Sequence, residues 1–237
     1  MQIPLKCLIT DQMARNTPIG RRLQKVSSQL TVPNHCQVIV YMLMTRARGD
    51  SFFQPYYDVL PEDFNNFPIF WDHEALGWLE GSVLVQQIKD RKANIRSDYD
   101  AICHALPEFR RFSFKEFLWC RTAVGSRNFS IVVRGEKRTA MVPQADMLNH
   151  LRPRECSWTF DNAANSFVIT SLTKIPKGAQ VNFLDSTYNS MLPLTGQSLI
   201  LPVYTRFLIV MAKNATASFC FITASRLRTT EKQMADA

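Results

Sequence analysis

The chain has 237 residues, of which 46% are hydrophobic and 20% are charged, and this composition is that of a folded protein and excludes general disorder. The net charge of +8 would suit an acidic partner, but the basic residues are scattered and form no block, so no specific nucleic-acid partner is expected. The six cysteines contain no Cys-x-x-Cys pair and no histidine stands at zinc-finger spacing, so neither a metal site nor a disulfide framework is predicted.

The segment from Met1 to Lys6 is not followed by the long apolar stretch of a secretory signal peptide. Scattered cysteines without a pairing pattern are typical of buried thiols in a reducing compartment. We therefore expect an intracellular protein. Cytoplasm, nucleus and plastid are not distinguished by these features.

The first half of the chain is predicted to be mostly helical. Residues 3–10 are apolar and strand-like, and the polar stretch 11–30 then places apolar side chains at helical spacing. The three further stretches with apolar residues at steps of three and four are 35–46, 72–106 and 112–124. Each of these stretches is predicted to be a helix with one buried face.

The second half of the chain turns to short strands. Apolar and β-branched residues in short runs separated by turn residues predict strands at 129–133, 139–142, 158–160, 167–169 and 181–183. Alternation along the strand places Trp158 and Phe160 in the core. Helices crowding one half and short strands the other predict an α+β fold.

A tail without clear periodicity follows Asn189. It contains five basic residues against the two acidic residues Glu231 and Asp236, and Pro193 and Pro202 interrupt its apolar runs. We predict that residues 190–237 are irregular and poorly ordered. A membrane span needs roughly 20 mostly apolar residues, and Lys213 interrupts the best window, so a membrane span is not expected.

The most informative motif is the stretch from Pro143 to His150, which reads PQADMLNH. It is followed by the strand candidates at 158–160 and 166–170, a turn at Pro176-Lys-Gly178, and the strand candidate at 181–183. This arrangement resembles the centre of a SET domain, the fold of S-adenosylmethionine-dependent protein methyltransferases. Within that fold it is most similar to the RuBisCO large-subunit methyltransferase branch.

Earlier segments extend the resemblance in the same order. The stretch from Ser51 to Pro61, SFFQPYYDVLP, resembles the signature of the helical insertion that splits the SET core in this branch, and the stretch from Trp119 to Phe129 resembles the helix that re-enters the core. The resemblance thus implies a SET domain over 1–189 with a helical insertion at about 20–112. Phe52, Phe53 and Tyr56 are predicted to be core residues of that insertion rather than cofactor-stacking ones.

The resemblance also implies the residues that bind S-adenosylmethionine. Asn149 would take the cofactor's amino group through its side-chain oxygen, and His150 would present main-chain groups to the adenine. Arg127 would lie beside the cofactor carboxylate, where a guanidinium can form two parallel hydrogen bonds. Asp146, Met147 and Leu148 would line the same pocket wall. His35, His73 and His104 have no partner pattern and are predicted to be structural or exposed.

Three parts of the family pattern have no match. The Gly-x-Gly cofactor loop that begins the family's domain would precede Met1, and the tail after Asn189 does not resemble the family's helical substrate domain. The family's catalytic tyrosine falls on Leu184, or with one gap on Phe183, and Tyr188 is out of register. The catalytic residue is therefore unassigned, and we expect a partial or mis-spliced gene product with little or no turnover.

Three functions follow from these observations. The resemblance implies a monomeric, S-adenosylmethionine-dependent protein-lysine N-methyltransferase that acts on a lysine side chain of a protein substrate. A non-catalytic SET remnant that serves as a protein-binding module is the alternative. From composition alone, a basic membrane- or nucleic-acid-associated protein stays open.

Overall fold

The computed structural model describes residues 1–150 and 155–183, and the predicted boundary at Asn189 and the tail lie outside these residues. The described α-helices are α1 (Asp11–Arg15), α2 (Pro18–Gln24), α3 (Pro33–Arg46), α4 (Gln54–Tyr57), α5 (His73–Gly77), α6 (Val83–Ala105) and α7 (Phe114–Arg127). The described strands are β1 (Gln2–Pro4), β2 (Ile9–Thr10), β3 (Asn128–Val133), β4 (Glu136–Met141), β5 (Asn149–His150), β6 (Cys156–Asp161), β7 (Ser166–Ser171) and β8 (Asn182–Phe183). The predicted α+β class is confirmed.

Two of the predicted helices form almost as expected. Helix α3 is confirmed within two residues, and α7 begins at a capping box in which Ser113 accepts from the main chain of Glu116 while the Glu116 side chain accepts from Ser113. Helix α7 ends at Arg127, three residues beyond the predicted end. Arg127, a predicted site residue, therefore lies in the last turn of α7, directly before β3.

Two other helix predictions were too long. The stretch 11–30 breaks between α1 and α2, because Thr17 caps a new helix and Pro18 at its first position has no N–H to continue the previous one. The stretch 72–106 breaks between α5 and α6, where Gly81 adopts a positive φ of 78° and Ser82 caps the long helix.

The strands form small sheets in the described part of the chain. One antiparallel sheet has the order β1-β7-β6, another has the order β2-β4-β3, and β5 pairs with β8 in parallel. The single strand predicted over 3–10 was wrong, because a short 3-10 helix at Leu5–Cys7 turns the chain from one sheet to the other. All five strands predicted in the second half are confirmed, with small shifts at their ends.

The sheets enclose an aromatic core. The rings of Phe129 and Phe167 meet edge to face with centroids 5.0 Å apart, and Trp158 stacks on Phe167 at 5.3 Å. Phe160 is buried and Trp158 packs against the same cluster, as predicted. This core lies directly behind β3, the strand that follows Arg127.

The helical region has its own core. Phe53 and Tyr56 are buried as predicted, but the same prediction was wrong for Phe52, whose side chain is 53% exposed and packs edge to face on Phe53 from outside. His35 is structural: burial, with help from Arg121, lowers its pKa to about 3, and its Nδ1 lies 2.7 Å from Arg121 Nη1. His73 and His104 are exposed.

Asp98 in α6 is the polar centre of the helical region. Its Oδ1 accepts from the Thr31 main-chain N–H at 2.7 Å, and its Oδ2 accepts from the Thr31 hydroxyl at 2.5 Å and from the Cys36 thiol at 3.7 Å. Both carboxylate oxygens of a side chain on a fully buried residue are thus hydrogen-bonded. Among the described residues, none of the helices is both long and apolar enough to cross a membrane.

Candidate functional site

The predicted site segment lies between β4 and β5. Gln144 adopts a positive φ of 72° with ψ of −43°, a conformation that non-glycine residues rarely occupy and that costs about 1–3 kcal/mol. A short 3-10 helix, Ala145–Met147, follows, and the main-chain N–H of Asp146 donates to Val142 O at 3.2 Å. Ala145 is fully buried in the sheet core. The segment is therefore anchored at its base by Ala145 and the Asp146 N–H.

Arg127 reaches this segment from the end of α7. Its Nη1 donates to Asp146 Oδ2 at 3.3 Å and to the Asp146 carbonyl oxygen at 3.2 Å, and it lies 3.5 Å from Met147 Sδ. The Arg127 side chain is 20% exposed and that of Asp146 is 0% exposed. Three of the six predicted site residues are thus brought into direct contact.

Tyr56 is a member of this site that sequence reasoning assigned only to the core. Its hydroxyl donates to Asp146 Oδ2 at 2.8 Å, across 90 residues of sequence. A buried tyrosine hydroxyl usually finds a hydrogen-bond partner, so burial of Tyr56 was a signal that some polar group lies nearby. We call Tyr56, Arg127 and Asp146 the Asp146 cluster.

The electrostatics of the Asp146 cluster are dominated by burial. Burial raises the pKa of Asp146 to about 6, against the opposing effects of the Arg127 charge and the hydrogen bonds from Tyr56 and Arg127. Burial and the neighbouring carboxylate also raise the pKa of Tyr56 well above its usual value. Tyr56 therefore stays protonated at neutral pH and acts as a donor, while Asp146 is mostly ionised and acts as an acceptor.

Two buried atoms of the cluster have no hydrogen-bond partner among the described residues. They are Arg127 Nε, a donor, and Asp146 Oδ1, an acceptor. Buried polar groups without partners are uncommon in native proteins, and each calls for an explanation such as strain, a bound water or ion, or a functional role. The arrangement fits a ligand that carries both an acceptor and a donor, and the amino-acid end of S-adenosylmethionine has a carboxylate and an ammonium group.

The remaining predicted residues continue the segment away from the cluster. Leu148 is half-buried and packs against the sheet core. Asn149 is exposed, and its main chain pairs with Asn182 in the parallel β5–β8 pair, where His150 pairs with Phe183. The structure thus places Asn149 on the surface, three residues after Asp146, without giving its side chain a partner among the described residues.

The candidates for the catalytic position lie beyond what the structure describes. Leu184 and Tyr188, considered for the catalytic position, fall outside the described residues, and for Phe183 only the main chain is described. Within residues 1–150 and 155–183, no three acidic, cysteine or histidine side chains come together as a metal site would require.

The chain is similar to known methyltransferases over part of their length. One relative is the chloroplastic ribulose-1,5-bisphosphate carboxylase/oxygenase large subunit N-methyltransferase of Pisum sativum. It is 28% identical to this chain over 156 positions, which is 63% of this chain and 30% of that protein. The actin-histidine N-methyltransferase of Callithrix jacchus is 24% identical over 159 positions, which is 62% of this chain and 26% of that protein. The chain therefore spans less than a third of these relatives. No protein-family profile matches it.

The fold is similar to that of solved methyltransferase structures. The SET domain of LSMT bound to lysine and AdoHcy superposes with a TM-score of 0.63 at 24% identity, over 77% of this chain and 43% of that one. Rubisco LSMT bound to AdoMet gives a TM-score of 0.61 at 26% identity, over 77% of this chain and 41% of that one. The predicted resemblance to the SET domain of the Rubisco methyltransferase branch is confirmed, and the fold is a SET-type α+β fold.

Proposed function

We propose that this chain binds S-adenosylmethionine at the Asp146 cluster and Asn149, and that it belongs to a protein-lysine N-methyltransferase. The observation that carries the proposal is the pair of buried atoms without partners among the described residues, Arg127 Nε and Asp146 Oδ1, with the exposed Asn149 three residues further along the chain from Asp146. The similarity to methyltransferases whose structures hold AdoMet or AdoHcy supports the same ligand.

The proposed roles follow from the donors and acceptors that remain. Arg127 Nη1 is engaged by Asp146, so the side of the guanidinium that carries Nε is the one left for the cofactor carboxylate. The Asn149 side-chain oxygen would accept from the cofactor ammonium, and Asp146 Oδ1 supplies a second, charged acceptor for the same group. Met147 and Leu148 would form the apolar wall, and the main chain of His150 would meet the adenine.

The cofactor supplies a methyl group on a sulfonium, which needs little acid–base assistance. The protein's contribution is to hold the cofactor in one orientation and to keep water away from the reacting atoms. The Asp146 cluster is suited to the first task, because the Asp146 side chain and Tyr56 are buried, Tyr56 donates to Asp146, and Asp146 in turn accepts from Arg127.

The proposed acceptor is a lysine of a protein. The structural relatives include an LSMT domain bound to lysine, which supports this choice, while the actin-histidine relatives make a histidine the competing acceptor. Transfer of a radiolabelled methyl group to a protein extract, followed by acid hydrolysis, would separate methyllysine from methylhistidine. Cofactor binding without any labelled product would instead support the non-catalytic binding module.

The binding proposal is tested by calorimetric titration with S-adenosylhomocysteine. We expect Asn149→Ala to weaken binding about tenfold or more, because a hydrogen bond to a charged group contributes about 1.5–3 kcal/mol. Asn162→Ala is the matched control: Asn162 is also exposed, but its side chain bonds the main chain of Arg134 and Val132. Unchanged affinity in Asn149→Ala, or equal losses in both variants, would contradict the assignment.

A further inference from the structure

We propose that Tyr56, a residue of the helical region, is a positioning residue of the cofactor site: its hydroxyl fixes the Asp146 carboxylate and, through it, Arg127. This inference rests on the proposed function, since it concerns the same site. It adds a group that does not touch the cofactor but decides how the groups that do touch it are held.

Tyr56 and Arg127 donate hydrogen bonds to the same oxygen of Asp146. The Tyr56 hydroxyl lies 2.8 Å from Asp146 Oδ2, which is the same oxygen that accepts from Arg127 Nη1 at 3.3 Å. Both donors therefore converge on Oδ2 and leave Oδ1 without a partner among the described residues. The Tyr56 hydrogen bond thus selects which carboxylate oxygen is left without a partner for a ligand to satisfy.

Helix α4, which carries Tyr56, is held rigidly in place. The neighbour of Tyr56 in α4, Tyr57, is buried and its hydroxyl lies 2.8 Å from the Thr45 hydroxyl on α3. The main-chain N–H of Tyr57 donates to Phe53 O, and the rings of Tyr56 and Tyr57 pack at 6.2 Å. The buried ring of Tyr57 and its main-chain hydrogen bond, both of which Tyr57→Phe would keep, hold α4 in place, so the Tyr56 hydroxyl reaches Asp146 from a fixed direction.

A short 3-10 helix joins Asp146 to the residues that follow it. Asp146 lies in the middle of the 3-10 helix, whose hydrogen bonds join Met147 N to Gln144 O and Leu148 N to Ala145 O, and β5 begins one residue later. A carboxylate free to rotate would release Arg127 and loosen this short helix, which leads directly to Asn149. Tyr56 therefore acts on both proposed cofactor contacts through a single hydrogen bond.

The test compares two adjacent tyrosines that each lose only a hydroxyl. Tyr56→Phe and Tyr57→Phe keep the buried rings, and each removes one hydrogen bond, so we expect similar losses of stability in urea unfolding. At neutral pH, Tyr56→Phe should weaken binding of S-adenosylhomocysteine about tenfold, whereas Tyr57→Phe should change it less than about twofold.

A pH profile of the same affinity separates positioning from general weakening. The charged and titratable groups that face Asp146 are Arg127 from α7 and Tyr56 from α4, and the Tyr56 hydrogen bond lowers the pKa of Asp146. Removing the hydroxyl should therefore move the pH at which binding is lost upward by about half a unit or more from the wild-type midpoint near the Asp146 pKa of about 6. Tyr57→Phe should leave this midpoint in place.

Asp146→Asn provides a second test, whose pH profile needs no substitution at Tyr56. The amide keeps the size of the side chain but cannot ionise, so the inference expects its binding profile to be flat through this pH range. In the Asp146→Asn background, Tyr56→Phe should have less than about a twofold effect, because the two residues act through one contact. A wild-type-like pH midpoint in Asp146→Asn would overturn the inference.

The outcomes also distinguish the two proposals. If the wild-type chain binds S-adenosylhomocysteine but Tyr56→Phe binds it equally well at every pH, the role of Tyr56 is refuted and the proposed function stands. Equal losses in Tyr56→Phe and Tyr57→Phe likewise refute positioning. If the wild-type chain itself does not bind, the proposed function fails, and the inference fails with it.

Discussion

Asp98 and Asp146 are both buried aspartates, but their hydrogen bonding differs. Both oxygens of Asp98 accept hydrogen bonds, from Thr31 and Cys36. Asp146 receives its donors on Oδ2 alone, while Oδ1 is buried without a partner among the described residues. Thr31, Cys36 and Asp98 form what we call the Asp98 cluster, which lies in the helical region, whereas the Asp146 cluster joins that region to the sheets.

The difference separates a structural role from a binding role. A fully hydrogen-bonded buried carboxylate stabilises the elements it joins, because removing it leaves its donors without partners. A partly satisfied one carries an uncompensated desolvation cost in the free protein, and a ligand that supplies the missing donor recovers that cost. We therefore expect substitutions in the helical region to change stability and those in the Asp146 cluster to change binding.

The largest effect is expected at Gly20, where α2 packs closely against α1. A Cβ at Gly20 would lie 2.0 Å from the main-chain oxygen of Ala14 and 2.9 Å from the Arg15 Cα, so Gly20→Ala must displace backbone. We expect it to lower the free energy of urea unfolding by about 4 kcal/mol. The protein that remains folded should bind S-adenosylhomocysteine as the wild type does.

Gly77→Ala is the matched control for this substitution. Like Gly20, which lies in the first turn of α2, Gly77 belongs to a short helix, as the last residue of α5, but nothing lies within 4 Å of the position of its Cβ. There the change should be neutral or stabilise by up to about 1 kcal/mol, since alanine loses less conformational entropy on folding. If Gly20→Ala were as mild as Gly77→Ala, the close packing of α1 against α2 would not be a source of stability.

The next effect compares the two aspartates directly. Asp98→Ala should lower the free energy of unfolding by about 3 kcal/mol, because the Thr31 N–H and hydroxyl lose their acceptor. Asp146→Ala should cost less than half as much, because it also removes a buried carboxylate whose Oδ1 has no described partner. Urea unfolding of both variants at neutral pH measures this, and equal losses would remove the distinction between the clusters.

Much of this fold was predictable from the sequence because it depends on local patterns. The apolar spacing of α3 and the alternation in the core strands fixed those elements to within a few residues. The breaks at Pro18 and Gly81 were missed, although both residue types interrupt helices, because the apolar spacing continues across them. The turn between β1 and β2 was missed because the two strands join different sheets.

The candidate site was predictable only in part. Arg127, Asp146 and Asn149 were identified by resemblance, and no spacing rule would have paired Arg127 with Asp146 across 19 residues. The role of Tyr56 depends on a contact across 90 residues. Local periodicity predicts that such a side chain is buried, but it cannot name the partner of its hydroxyl. The unpaired atoms of Arg127 and Asp146 likewise exist only in the folded chain.

The smallest expected effect is a pH dependence that belongs to the Asp146 cluster. The pKa of Asp146 is raised from 3.8 to about 6 in the folded chain. Between these values the folded state binds more protons than the unfolded state, so stability rises as the pH falls. The ionised group therefore destabilises the free protein above about pH 6, and lowering the pH from about 7 to about 4.5 should recover about 2 kcal/mol from this group. Asp146→Asn cannot take up this proton.

The measurement is the difference in unfolding free energy between the wild-type chain and Asp146→Asn at each pH, because other titrating groups contribute equally to both proteins and cancel. We expect this difference to move in favour of the wild type as the solution is acidified. A ligand that engages Asp146 Oδ1 should stabilise the ionised form, so saturating S-adenosylhomocysteine should move the onset of the change to lower pH. A difference that is flat with pH, or that moves in favour of the variant on acidification, would mean that Asp146 is as well satisfied as Asp98, and the contrast between the two clusters would fail.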